Sequence, residues 1–149
     1  MESISSQITQ TFRFVAAEFQ AVTLNMTRQS TMKTQIFVFG SNLAGRHGAG
    51  AAKFARENHG AIYGYGEGIQ GNSYAIPTKD IDIKTLPLEE IKKFVEEFKK
   101  FAAENDRYEF NVTRIGCGLA GYKDHQIAPM FRGSPSNCNL PREWRVFLE

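Results

Sequence analysis

A chain of 149 residues suits one domain with at most a tail, because domains usually run to roughly 100 to 200 residues. Its 42 % hydrophobic and 23 % charged residues, with 13 Gly and 5 Pro, exclude collagen, a coiled coil and a disordered polymer. Eighteen Lys and Arg against 16 Asp and Glu leave a net charge of +2, so attraction to a polyanion would need a local patch.

The first 31 residues carry Glu2, Arg13, Glu18 and Arg28, which interrupt any export signal or membrane span. Phe12, Val15, Phe19 and Val22 recur at spacings of three and four and predict a short amphipathic helix over 12–23. With Met26 and Met32 as alternative starts, residues 1–31 read as an extension and 32–149 as the domain. Cys117 and Cys138 are too few for a disulfide scaffold and lack a zinc or redox spacing, which predicts a reducing, cytoplasmic setting.

From Lys33 the pattern sharpens. Ile36 to Phe39 is an apolar run closed by Gly40, as in a strand buried on both faces of a parallel sheet. Gly50 to His59 reads as a helix with Ala51, Ala52, Phe54 and Ala55 on its apolar stripe and Gly60 as left-handed cap. Ala61 to Tyr63 and Ser73 to Ile76 read as short strands, the second ended by Pro77. Leu88, Ile91, Phe94, Val95, Phe98, Phe101 and Ala102 keep helical spacing for four turns. Phe110 to Ile115 reads as a strand, Asp124 as the cap of a short helix over Ile127 to Phe131, and Arg145 to Leu148 as a final strand. Strands alternating with helices predict an α/β layered fold.

Gly40 to Gly50 places four glycines among eleven residues between a buried strand and a helix, so that backbone N–H groups and the helix N-terminus can hold an anion. Gly40 to Gly45 has the spacing of a Walker loop, but Arg46-His47 replaces the Lys and Ser or Thr that phosphate and magnesium require. Gly66 to Gly71 spells G-x-G-x-x-G but opens a strand and is set aside. Gly116 to Gly121 is a second glycine loop after a strand, and two such loops at neighbouring strand ends can pinch a diphosphate. Cys117 between glycines reads as packing rather than as a nucleophile, and His47, His59 and His125 lack metal-ligand spacing. Tyr63, Tyr65 and Tyr74 read as core or surface before they read as base-stacking rings.

The motif order resembles the macrodomain family: a strand, Gly45-Arg46-His47-Gly48-Ala49-Gly50-Ala51-Ala52, then Ala75-Ile76-Pro77-Thr78-Lys79, then Arg114-Ile115-Gly116-Cys117-Gly118-Leu119. The nearest likeness is to the branch with terminal ADP-ribose protein glycohydrolase and the antitoxins that remove ADP-ribose from DNA, over about residues 34 to 148. The ending, Ala128 to Gly133 and Leu140 to Arg145, is also similar to small phage and prophage proteins. The resemblance implies a three-layer αβα domain with a mixed central sheet. It implies ADP-ribose or an ADP-ribosylated macromolecule as partner, with no metal, cofactor or membrane. By the same resemblance Lys79 matches the lysine that attacks the distal ribose. Asn42, Arg46, Gly48, Ala49, Gly50, Ala51, Gly116, Cys117, Gly118, Leu119, Ala120 and Gly121 would then line the ligand.

The chain departs from the family at two places. Ala120 stands where the protein glycohydrolase has its catalytic aspartate, which leaves Asp80 or Asp124 as substitutes for proton transfer. Asp80-Ile81-Asp82 replaces the antitoxins' tryptophan, and its acids disfavour a DNA substrate. Two further readings therefore stand beside hydrolysis: a non-catalytic ADP-ribose reader, and a structural or protein-interaction role in which the glycine loops only turn the chain.

Overall fold

The computed structural model describes Arg13, residues 15–24 and residues 32–149. The chain divides into Met1–Lys33 and Thr34–Glu149. In the first unit Arg13 and residues 15–24 are helical (α1), where Val15, Phe19 and Val22 hold the predicted spacing; Phe12 lies outside the described residues.

The second unit runs β1 (Thr34–Asn42), α2 (Gly50–Asn58), β2 (Gly68–Gln70), β3 (Ser73–Lys79), α3 (Leu88–Glu104), β4 (Tyr108–Val112), α4 (Asp124–Ile127), β5 (Cys138–Asn139) and α5 (Arg145–Leu148). The five strands form one sheet in the order β2-β3-β1-β4-β5, antiparallel between β2 and β3 and parallel elsewhere. The expected mixed-sheet α/β architecture with helices on both faces is present.

β1 is buried on both faces, as its unbroken apolar run predicts. Ile36 and Val38 join Tyr74, Ile76, Phe110 and Val112 against α3, α4 and the C-terminal turns. Phe37 and Phe39 face the other way, with Ala75, Ala52 and Ala55. The small alanines let α2 lie close to the sheet, while Phe54 is half exposed. Beyond α2 this second face is a polar ladder: Gln35 Nε2 donates to Glu109 (2.7 Å), and Asn111 Nδ2 to Gln35 Oε1 (2.7 Å). Asn139 Nδ2 donates to Glu109 and Asn111 (2.9 Å each).

α3 keeps its predicted face, burying Ile91, Val95, Phe98 and Ala102, with Glu89 and Glu90 in the first turn where the helix dipole favours acids. Gly60 has φ +73°, as expected of a residue just past α2.

Four expectations are corrected. Residues 61–63 form no strand: Ala61 is buried, and the Ile62 N–H is taken by the Gln70 side chain (2.8 Å) instead of a ladder. Pro77 does not end β3, which continues to Lys79. There the register with β1 shifts at Ser41/Asn42, and the Thr78 hydroxyl donates to the Ser41 carbonyl (3.1 Å), supplying a donor beside the proline. Asp124 is the first residue of α4 rather than a cap, and the Gln126 side chain accepts from the Lys123 N–H (2.9 Å). Residues 145–148 are helical, because buried Trp144 anchors the turn before them. Phe147 and Leu148, three and four residues on, then pack on the core while Val146 is exposed.

Phe98 is the hub of the larger core, with ring centroids 5.1 Å from Tyr74, 5.4 Å from Phe110 and 6.2 Å from Phe131. Phe98→Ala is expected to destabilise the domain by about 3–5 kcal/mol, read as a lower urea midpoint.

Candidate functional site

β1, β3 and β4 are mutually parallel, so their carboxyl ends reach one edge of the sheet and the loops after them converge there. The first loop is tied down by side chains buried at its base. The Asn42 amide closes a ring with Arg46, its Oδ1 accepting the Arg46 N–H and its Nδ2 donating to the Arg46 carbonyl, both at 2.9 Å. The Ser41 hydroxyl donates to the Gly66 carbonyl. His47 is wholly buried, and its Nε2 meets two acceptor oxygens, Tyr65 O (3.0 Å) and Gln70 Oε1 (3.3 Å). Nε2 therefore carries the proton. Gly45 has φ +69° and a Cβ there would lie 2.3 Å from the Gly64 carbonyl carbon, so no larger residue fits.

The second loop is fastened from outside. Arg114 grips Asp124 with two bonds, Nε to Oδ1 (3.0 Å) and Nη2 to Oδ2 (2.6 Å), and the Trp144 indole N–H donates to Oδ1 (2.9 Å). These bonds hold the Asp124 carboxyl down at about 2, chiefly through the Arg114 hydrogen bonds. Thr85 donates its hydroxyl to the Ala120 carbonyl (3.0 Å), joining this loop to the segment after β3. Across the gap Leu119 Cδ1 comes within 3.6 Å of where a Gly50 Cβ would stand.

Between the loops lies a cleft of about 570 Å³, within the usual range for small-molecule sites. Lys79, Asn42, Arg46, Gly48, Ala49, Gly50, Ala51, Gly116, Gly118, Leu119 and Ala120 all line it. Of the sequence-derived site residues, Cys117 and Gly121 are not among its lining. Cys117 faces a second pocket with Tyr122, Lys123 and His125, and burial, followed by its bond to Asp124, pushes its thiol up to about 12. A protonated thiol outside the cleft is no nucleophile for it. Asn42 shapes the loop more than it offers bonds, since both ends of its amide are engaged.

Sequence reasoning passed over Ser41, Thr78, Ile83, Thr113 and Arg114 as lining residues, and weighed Tyr63 only as one ring of three. Ile83 left one physical trace, a φ of +64° that a β-branched residue rarely adopts. It is held by Asp80, whose Oδ1 accepts the N–H groups of Asp82 and Lys84 (2.9 Å each).

The lining is electrostatically one-sided. It contains Arg46, Lys79 and Arg114 and, among the described residues, no carboxylate or imidazole. No described residue accepts a hydrogen bond from the N–H groups of Gly48 to Ala52, nor from those of Gly118 to Ala120. α2 has no side-chain cap at Ala49, so the positive end of its dipole opens on the cleft.

Among the described residues no cluster of three or more His, Cys, Asp and Glu is placed to hold a metal, and no helix is long and apolar enough to cross a membrane. No protein-family model, curated protein or solved structure matches the chain.

The Asp124 carboxyl sits below its ordinary value of 3.8 in the folded state, so its stabilisation is complete above that value and lost as pH falls towards 2. The stability difference between wild type and Asp124→Asn is therefore expected to narrow as pH drops through that window, measured by urea denaturation at successive pH values.

Proposed function

We infer that Thr34–Glu149 binds ADP-ribose or a close nucleotide relative in the manner of a macrodomain, with the diphosphate between the two glycine loops. One observation carries this reading: two runs of residues with uncommitted N–H groups line one cleft that also holds Arg46, Lys79 and Arg114 and, among the described residues, no lining acid. Such a cradle favours a dianion, through oriented N–H dipoles, the helix end and fixed cations. The motif order and the α/β sheet support the same reading, and the two free cysteines suit a reducing, cytoplasmic setting.

The cleft also bears on catalysis. Lys79 lines it at the end of β3, and no hydrogen bond or ion pair ties its ammonium to another described residue. Attack by the neutral amine on the anomeric carbon of a distal ribose breaks the glycosidic bond, and the departing nitrogen or oxygen must take up a proton. Neither substitute acid is placed to give one. Asp80 is spent on the turn that carries Ile83, and Asp124 stays ionised against Arg114 outside the cleft. The lack of a lining acid favours the second reading, a reader that holds ADP-ribosylated molecules without turning them over.

Calorimetric titration with ADP-ribose is expected to give saturable binding of about −8 kcal/mol. Gly118→Glu is expected to abolish it: no atom lies within 4 Å of a Cβ there, so a carboxylate enters the cleft without disturbing the fold. No heat from the folded wild type at millimolar ligand would remove the nucleotide reading. Release of ADP-ribose from modified protein or DNA, lost in Lys79→Ala while binding persists, would establish the hydrolase over the reader.

A further inference from the structure

Ile83 breaks a local rule at the wall of the cleft. Lys79 and Thr85 pair as an antiparallel bridge, the Asp80 N–H donates to the Lys84 carbonyl (2.7 Å), and the Ile83 N–H donates to the Asp80 carbonyl (3.1 Å). Residues 81–83 thus form a three-residue hairpin loop whose last member lies in the left-handed region, the place that such loops give to glycine. Ile83 occupies it with φ +64° and is, among the described residues, the only non-glycine with a positive φ. A β-branched side chain is costly there, and a glycine would relieve the strain. The turn does not need the isoleucine, because Asp80 Oδ1 already secures it through the N–H groups of Asp82 and Lys84. Nor does the core, since neither Ile83 nor Ile81 packs into either apolar cluster. What the residue supplies is a half-buried aliphatic side chain on the wall of the cleft that Lys79 also lines.

Strain of this kind persists where the side chain itself is required. We propose that the hairpin 79–85 reads the molecule that carries the ADP-ribosyl group, with Ile83 as the specificity-determining contact, and that this carrier is a protein segment. This rests on the nucleotide reading above and adds the substrate class to it. In that reading Lys79 meets the anomeric carbon, and the hairpin springs from Lys79, so the ligand's continuation past that carbon runs along it. Ile83 then offers aliphatic surface, and Ile81, 68 % exposed in the same loop, extends it outward. The Thr85 hydroxyl bond to the Ala120 carbonyl fixes the hairpin to the second loop, so this surface is held in place beside the cleft. The loop carries Asp80, Asp82 and Lys84 and is net negative. Apolar and neutral side chains of a polypeptide suit it, whereas a phosphodiester chain would bring further negative charge to it.

The test is calorimetry of the full chain, wild type and Ile83→Gly, with three titrants: ADP-ribose, an ADP-ribosylated peptide and an ADP-ribosylated single-stranded oligonucleotide. Release of ADP-ribose is followed alongside, so that the affinities refer to intact titrants, and thermal midpoints are compared. Wild type is expected to bind the modified peptide more tightly than ADP-ribose, and the modified oligonucleotide no more tightly. Ile83→Gly is expected to weaken the peptide by about 10-fold, the lower end of what a lost aliphatic contact costs, and to leave ADP-ribose unchanged. It is also expected to melt at or above the wild-type temperature, because glycine suits the left-handed position. A lower midpoint with an equal loss for all three titrants would make Ile83 a packing residue and overturn the assignment. So would an oligonucleotide that binds better than the peptide, which would make the carrier a nucleic acid. Wild type that binds no ADP-ribose would overturn this inference together with the reading beneath it, whereas ADP-ribose binding with no gain from the peptide overturns the inference alone.

Discussion

From Ile36 to its end strand β1 has no exposed residue, and the rest of the domain depends on that. Ile36 and Val38 hold the sheet to α3 and the C-terminal turns, while Phe37 and Phe39 hold it to α2. Because β1 lies between β3 and β4 and parallel to both, three chain segments leave the sheet at the same edge. Open parallel sheets bind their ligands there because the strand ends converge while the loops are free to diverge. The cleft is thus a consequence of where the central strand is buried, and its rim is built by the loops that follow.

Those loops are stiffened by different means. The first is laced from beneath by Asn42, Ser41 and buried His47, polar side chains whose bonds go to loop backbone. Buried polar groups need partners, and the loop carbonyls and N–H groups supply them for Ser41, Asn42 and His47 Nε2, so burial and loop order are met by the same bonds, while His47 Nδ1 is left without a partner among the described residues. The second loop is clamped from outside by the Arg114–Asp124–Trp144 cluster, which links it to the C-terminal turns. Neither arrangement uses the N–H groups of Gly48 to Ala52 or of Gly118 to Ala120. The rigidity of the site therefore leaves its hydrogen-bonding capacity free for a ligand, which lowers the entropy lost on binding.

Charge follows the same division. A chain with a net charge of only +2 gathers three cations at one cleft and no lining carboxylate among the described residues. Asp80 and Asp124 stand close in sequence to cleft residues, yet each is consumed by a structural task, one in an Asx turn and the other in a bidentate ion pair. Sequence neighbourhood suggested both as proton donors; their hydrogen bonds assign them elsewhere.

The sequence by itself determined the elements with one dominant period and the loops with one dominant chemistry. The apolar run of β1, the four-turn stripe of α3 and the two glycine loops were legible because local patterning and backbone sterics leave little choice. Lys79 stood out through its place in a motif. Short segments with mixed signals were decided by tertiary structure. Pro77 continues a strand because the Thr78 hydroxyl supplies a donor beside it, and residues 145–148 turn helical because Trp144 is buried just before them. Tertiary structure alone separated Cys117 from the cleft that its neighbours line and brought Tyr63 to that cleft's wall. A side chain's partners depend on distances between segments far apart along the chain, and no local period encodes those distances.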